Sequence, residues 1–331
     1  MNITCVPEPS SFLADREFYS NFMHFMSFLE LIIHSFGAFI IIKKTPPQMK
    51  TVQISLLYLH FCSSFLDIYV SLLMTPYILF PQIAGFALGL LSVFGVDQAF
   101  QAILAVVLMG LVGNSLIVIY ENRFSVLLGL SNRWHYFRPI LIGINHIVVC
   151  VAPFPIYFVM PEQVSAREEV FRRLPCLPRE VYESDVLVAS LEWKLLAIAA
   201  VPFGGFIVVQ VFTFLALSVS FLNREMREMK YSASTIAMKK RFFWCVCVQT
   251  AIPLLVFLAP MVLNVISVGF QIHSQGATNF AFIMISVHGL VSTFAILTIH
   301  KPYREATSKF FGKAHLQWNS SNSSVSQLRL S

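Results

Sequence analysis

The sequence predicts an all-α membrane protein, a bundle of seven transmembrane helices. Its composition is the first observation: 56% of the 331 residues are hydrophobic and only 12% are charged. Soluble domains are about 45–50% apolar and about 25% charged. So few charged side chains do not cover the surface of a soluble protein of this size, and the mean hydropathy of +0.71 agrees. The composition therefore argues against a soluble enzyme, a disordered scaffold and a disulfide-rich secreted module.

Seven apolar segments are long enough to cross a bilayer, which takes about 20 residues per helix. In order, they are Tyr19–Ile42, Val52–Leu79, Ala99–Tyr120, Pro139–Met160, Leu195–Phe221, Phe242–Val268 and Asn279–Ile299. Helices are expected because a helix satisfies its backbone polar groups internally. The apolar but glycine-containing stretch 83–95 is interpreted as a loop, with a membrane-dipping loop or an early start of the third segment as alternatives.

The basic residues indicate the orientation. Of the 23 Lys and Arg residues, 17 fall in alternate connections and the C-terminal tail, and the other six fall in the opposite set. Lys and Arg accumulate in cytoplasmic loops. The sequence therefore predicts an extracellular tail over residues 1–18, a receptor-sized bundle over 19–299 and a cytoplasmic tail over 300–331. In that last tail, Lys309, Phe310 and Phe311 suggest a short amphipathic helix before a disordered end.

Two features of the predicted outer face are candidates for covalent modification. Asn2 begins an Asn-Ile-Thr glycosylation sequon. Cys5 and Cys176 are the cysteines that fall outside the membrane in an oxidising compartment, and they form a candidate disulfide. The alternative is a pair of free thiols.

Three classes of function are compatible with a seven-helix bundle: a receptor, a channel or transporter, and a membrane enzyme. An enzyme is disfavoured because the nine histidines are scattered and no paired-aspartate motif or phosphate-binding loop occurs. No cofactor, metal or nucleic-acid partner is expected. A pore needs polar side chains along a path, and the polar residues here number one or two per segment and form no stripe.

Two patterns favour a receptor coupled to a cytoplasmic partner. Glu121-Asn122-Arg123 closes the third segment, and an arginine there can be held by a local carboxylate in one state and released in another. Lys239, Lys240 and Arg241 precede the sixth segment and extend a basic surface inward. The alternatives are an ordinary stop-transfer arginine and simple positive-inside anchoring.

Charged and ionisable residues inside the segments are candidates for a switch. Glu30 and Asp67 are the formally charged residues within the seven segments, and an unpaired buried carboxylate costs several kcal/mol. Each is protonated, bound to a cation or hydrogen-bonded to neighbours such as His34, His60, Asn264 or His288. The functional hypothesis is a sodium- or proton-sensitive switch, and the alternative is a structural interhelical hydrogen bond of about 1 kcal/mol.

The order of short motifs along the chain resembles one family. These motifs are Lys44-Thr-Pro-Pro-Gln-Met-Lys, Leu59-His60-Phe61 with Leu66-Asp67, Thr75-Pro-Tyr with Phe80-Pro81, Gly89-Leu-Leu with Phe94-Gly-Val, Glu121-Asn122-Arg123, Leu174-Pro-Cys-Leu-Pro, Gln249 with Ile252-Pro253, Ser286-Val-His288-Gly289 and His300-Lys-Pro-Tyr-Arg304. Over about residues 18–304 the chain is similar to nematode serpentine chemoreceptors of class H, in the superfamily that also includes classes D, I and J. Class I is the near alternative.

The resemblance implies a G-protein-coupled receptor for environmental small molecules, located in the plasma membrane of chemosensory neurons, in particular the ciliary membrane. It implies a coupling role for Glu121, Asn122, Arg123 and the inner loops, with a heterotrimeric G protein as partner. A receptor for an internal peptide remains the alternative. The Asn-Pro-x-x-Tyr element of rhodopsin-like receptors is absent, so its role is not carried over to Pro302 and Tyr303.

Overall fold

A computed structural model describes residues 11–128, 133–174, 176–228 and 232–312. Within them, seven helices have the length and apolar composition needed to cross a membrane, and we call them spans 1 to 7. They are Arg16–Lys44, Lys50–Leu73, Gln98–Leu128, Trp134–Val159, Trp193–Arg227, Ser234–Gly269 and Gln275–Ile299. The predicted seven-helix membrane bundle is confirmed.

Three spans are internally irregular. Span 2 is α-helical over Lys50–Ile68 and ends in a π-helical turn, Tyr69–Leu73. Span 4 consists of Trp134–Val151 and Pro155–Val159. Span 7 consists of Gln275–Ser286 and His288–Ile299. Proline explains the interruption of span 4, whereas span 7 contains no proline.

Several predicted boundaries differ from the structure, most of them because the helices extend beyond the apolar residues. Two differences concern spans 2 and 3. Span 2 ends at Leu73 rather than Leu79, because Pro76 disfavours helical backbone at the residue before it and Thr75 has a positive φ of 45°. Span 3 continues to Leu128 instead of ending at Tyr120, so Glu121–Arg123 lie inside the helix.

A small antiparallel sheet covers one end of the bundle. Its strands are β1 (Pro76–Ile78), β2 (Ile83–Ala87) and β3 (Leu187–Ser190), in the order β1-β2-β3. The stretch 83–95, expected to be a loop, therefore holds a strand and the short helix Leu90–Val93. Further short helices are Phe12–Ala14, Pro47–Met49, Gln163–Arg173 and Arg179–Tyr182.

The buried side chains form two clusters, one in each half of the bundle. The cluster under the sheet includes Tyr19, Tyr69 and Tyr77, and the other includes Ile117 and Ile296. Spans 4, 5 and 6 leave many large apolar side chains exposed, which suits helices whose outer faces meet lipid.

Residues 301–312 continue as a helix beyond span 7, where the sequence suggests an amphipathic helix. Phe310 and Phe311 lie against Phe36 of span 1, with ring centroids 5.3 and 5.6 Å away. This helix therefore packs beside the end of the bundle opposite the sheet.

Candidate functional site

The intramembrane polar residues meet where span 7 breaks. Asp67 of span 2 is fully buried. It accepts hydrogen bonds from the backbone N–H groups of Gly289 (3.1 Å) and Leu290 (2.8 Å). Nε2 of His34 lies 3.2 Å from Oδ2, and Nδ1 of His288 lies 2.8 Å from Oδ1. Two backbone N–H donors and two imidazole nitrogens thus surround the two oxygens of Asp67.

A second layer of hydrogen bonds fixes the orientation of His34. Its Nδ1 lies 3.1 Å from the Thr293 hydroxyl, which donates 2.9 Å to the carbonyl of Gly289. Its backbone carbonyl accepts a 3.0 Å hydrogen bond from Nε2 of His60. Spans 1, 2 and 7 are therefore joined at one depth by a continuous polar network.

Glu30 lies beside this network but does not take part in the contacts of Asp67. Its Oε2 accepts a 2.6 Å hydrogen bond from the Ser71 hydroxyl, one helical turn along spans 1 and 2 from the His34–Asp67 contact. A Ser–Glu bond between two helices is what the structural alternative expects.

The geometry at Asp67 favours a structural role over a cation site. Within the described part of the chain, no group of three or more His, Cys, Asp or Glu residues is arranged to hold a metal ion. A cation at Asp67 would have to displace N–H groups that already occupy its oxygens. We therefore interpret Asp67 as a helix-capping residue, as developed below.

The second polar cluster lies near the C-terminal end of span 3. Glu121 is fully buried, its Oε2 is 2.8 Å from Nε of Arg138, and its Oε1 accepts a 2.9 Å hydrogen bond from Nε1 of Trp134. Nη2 of Arg138 also donates to Oδ1 of Asn122 at 2.9 Å. The ion pair of Glu121 that the described residues show is with Arg138 of span 4, not with Arg123.

Arg123 is only 5% exposed. Its guanidinium interacts electrostatically with Cys247 and Tyr303. It also interacts electrostatically with His300. Burial lowers the pKa of His300 to about 4, with Arg123 as a further cause, so this imidazole is neutral at pH 7. Arg123 is thus enclosed by span 6 and by the segment that follows span 7.

Hydrogen bonds between other spans close the same region. Nε2 of His300 pairs with Oε1 of Gln249 at 2.5 Å. The Tyr303 hydroxyl pairs with that of Thr45 at 2.8 Å. These hydrogen bonds join the segment after span 7 to span 6 and to the residue that follows span 1.

Lys239, Lys240 and Arg241 lie inside the first turns of span 6, because its helix begins at Ser234 rather than at the predicted Phe242. These basic residues divide between a buried and an exposed role. Nζ of Lys239 is 2.9 Å from a carboxylate oxygen of Glu225 and joins spans 5 and 6. Lys240 is half-buried and Arg241 is exposed. They lie at the same end of the bundle as Glu121–Arg123.

The candidates on the sheet side fall partly outside the described residues. Cys5 and Asn2 lie outside the described residues. Cys176 is disulfide-bonded, whereas Cys62, Cys150, Cys245 and Cys247 are free. The pairing of Cys5 with Cys176 and glycosylation of Asn2 stay predictions.

Arg138 and Gly289 are residues that sequence reasoning missed. In the sequence, Arg138 was counted only among the basic residues of a connection. It directly precedes an apolar segment, and it pairs with the buried carboxylate of Glu121. Gly289 follows a histidine in span 7, and a Cβ at this position would lie 2.7 Å from Oδ2 of Asp67. Glycine there permits the close approach of spans 2 and 7.

Comparison of the chain with known proteins identifies its family. Residues 14–313 match the family model described as serpentine type 7TM GPCR chemoreceptor Srh. The chain is also similar to a Caenorhabditis elegans protein named Serpentine receptor class H-72, with 26% identity over 316 residues that cover 94% of this chain and 90% of that protein. The predicted resemblance to class H is confirmed, and the family is one of receptors rather than enzymes. The chain belongs to the class H family of serpentine seven-transmembrane chemoreceptors.

Proposed function

We propose that this receptor binds an environmental small molecule through the sheet-covered half of its bundle and activates a heterotrimeric G protein through the opposite end. The sheet faces the cell exterior and the tail after span 7 lies in the cytoplasm, as the distribution of Lys and Arg indicates. The location is the plasma membrane, specifically the ciliary membrane of chemosensory neurons. Family membership supports the receptor class.

The burial of Arg123 is the observation that carries the coupling role. A guanidinium that is 5% exposed at the cytoplasmic end of a bundle is costly to bury. Moving span 6 and the segment after span 7 away from span 3 would expose it beside Lys240 and Arg241. Coupling free energies between sites are typically ~1–3 kcal/mol, enough to change the exposed fraction many-fold.

The sheet-covered half favours a small ligand over an internal peptide. The hydroxyls of Tyr19 and Tyr69 donate to backbone carbonyls at 2.9 and 2.8 Å, and that of Tyr77 donates to the carbonyl of Ala14 at 3.1 Å. Span 7 is tied to the N-terminal turn through Asn279, which donates to the carbonyl of Leu13 at 2.8 Å. A large peptide would have to break this cover, whereas a small, mostly apolar molecule needs only local rearrangement.

The test measures surface level and second-messenger output on the same cells during a screen of volatile and water-soluble chemicals. Arg123→Ala should keep surface expression near normal and strongly reduce G-protein activation. Arg133→Ala removes an exposed basic residue from the connection between spans 3 and 4 and should leave signalling unchanged. Normal output per surface receptor in Arg123→Ala would contradict the coupling role. A purely topological anchor predicts a silent Arg123→Lys, with insertion and signalling lost together in Arg123→Ala.

A further inference from the structure

The break in span 7 is not caused by a proline. Helix Gln275–Ser286 ends at Val287, and helix His288–Ile299 begins directly after it. Sharp helix kinks usually occur at proline, at Gly/Ser pairs or where a side chain enters the hydrogen-bond ladder. Span 7 has no proline, and Ser286 and Gly289 flank the break. The backbone N–H groups of Gly289 and Leu290 bind a side chain of another span, so a side chain also enters the hydrogen-bond ladder here.

The inserted side chain is Asp67. Its carboxylate accepts the backbone N–H groups of Gly289 and Leu290, the second and third residues of helix His288–Ile299. The first N–H groups of a helix have no partner within it, and a side-chain oxygen normally satisfies one from the preceding residue. Here a carboxylate from a neighbouring span provides the cap, at the end where the helix dipole favours negative charge.

The two halves of span 7 are attached to different parts of the protein. The first half is tied to the sheet side, because Gln275 donates to the carbonyl of Ile78 at 3.1 Å. The second half is tied to spans 1 and 2 through Asp67 and through the contact of His34 with Thr293. His300 and Tyr303, which help to enclose Arg123, directly follow the second half.

We propose that Asp67 is a positioning residue that holds a hinge at Val287, keeping helix His288–Ile299 docked on span 2. When the cap is released, this half-helix moves separately from Gln275–Ser286 and carries His300 and Tyr303 with it. The link from this movement to signalling rests on the proposed function. The cap and the hinge do not, because they concern hydrogen bonds within the receptor.

Hydrogen–deuterium exchange of the purified full-length receptor in lipid nanodiscs tests the hinge. In Asp67→Asn, the amide nitrogen of asparagine would face N–H donors where a carboxylate oxygen accepted them. Loss of a helix cap changes local stability by a factor of about 2 to 30. We expect peptides covering 288–299 to exchange about tenfold faster, equivalent to about 1.4 kcal/mol, while peptides covering 275–286 stay unchanged.

Gly289→Ala is the second variant, and it leaves the carboxylate in place. Its Cβ would lie 2.7 Å from Oδ2 of Asp67 and 2.8 Å from the backbone of Ser63, so the half-helix must move away and exchange should again rise over 288–299. Gly205→Ala is the matched control, since a Cβ there meets nothing within 4 Å, and it should exchange as the native receptor does.

Two results would overturn the hinge. One is unchanged exchange over 288–299 in both Asp67→Asn and Gly289→Ala. The other is an equal rise over 275–286 and 288–299, which indicates general loosening of the bundle rather than a hinge. Because no G protein or ligand is used, failure of the proposed function leaves this measurement intact.

Discussion

The ion pair between Glu121 and Arg138 gives a prediction whose size follows from burial. Arg138→Gln removes the guanidinium from a carboxylate that is 0% exposed. Breaking a fully buried pair from one side costs about 3–5 kcal/mol. Because the Arg138 side chain is 29% exposed and Trp134 still donates to Glu121, we expect the lower end or less, about 2 kcal/mol.

The assay is a double-mutant cycle on thermal stability of the purified receptor, with Glu121→Gln, Arg138→Gln and both together. The double variant leaves no uncompensated buried charge, so it should lose less stability than the sum of the single variants. Arg133 is exposed and directly precedes span 4, so Arg133→Gln is the control and should be near neutral. Basal second messenger is measured in cells that express the same variants, and it should rise in both single variants because the contact between spans 3 and 4 is loosened.

Additivity is the result that refutes this reasoning. If the two single effects add to that of the double variant within about 0.5 kcal/mol, the residues are not coupled. If the stability effects of the two variants are coupled but basal second messenger does not change, the ion pair is supported and its role in restraining signalling is rejected.

Three further predictions concern the outer face. Asn2→Gln should abolish the glycosidase-sensitive mobility shift, whereas a shift that disappears only when Asn319 and Asn322 are replaced would mean an inverted topology. Cys176→Ser should lower surface expression while Cys150→Ser, at a free cysteine, should not; mass mapping that finds Cys5 and Cys176 both reduced would reject the bond. Hydrogen bonds from the backbone N–H and hydroxyl of Ser165, then from the N–H of Val164, hold the pKa of Glu162 below its ordinary 4.5. A depressed pKa means that this cap is present above pH 4.5 and is lost as the pH falls through the lowered pKa. Protection of the amides at the start of helix Gln163–Arg173, measured relative to the intrinsic exchange rate at each pH, should therefore fall in acid, and Glu162→Gln should remove that pH dependence of the protection.

The fold was predictable because its cause is local. A run of about 20 apolar residues specifies a membrane helix whatever surrounds it, and seven such runs were visible without any contact information. Boundaries were less predictable where partners decide them. Span 3 passes the polar stretch Glu121–Arg123 and continues to Leu128, since Arg138 and Trp134 satisfy the carboxylate of Glu121.

The candidate site was predictable as a set of residue types but not as a set of pairs. Glu30, Asp67 and His288 were identifiable because ionisable side chains in a bilayer need partners, and Glu121–Arg123 because of their place at the end of an apolar run. The partners themselves come from other spans: Asp67 meets residues more than 200 positions later, and Glu121 meets Arg138 instead of the arginine two residues away.

The sequence by itself determined that the chain is a seven-helix membrane protein, which side its basic loops favour and which family it resembles, because hydropathy, charge and motif order are properties of the chain read in one direction. Only the tertiary structure decided that span 7 is broken, that Asp67 caps its second half and that Arg123 is enclosed rather than presented. Those features depend on the register and distance between helices, which hydrophobic periodicity along one helix does not specify.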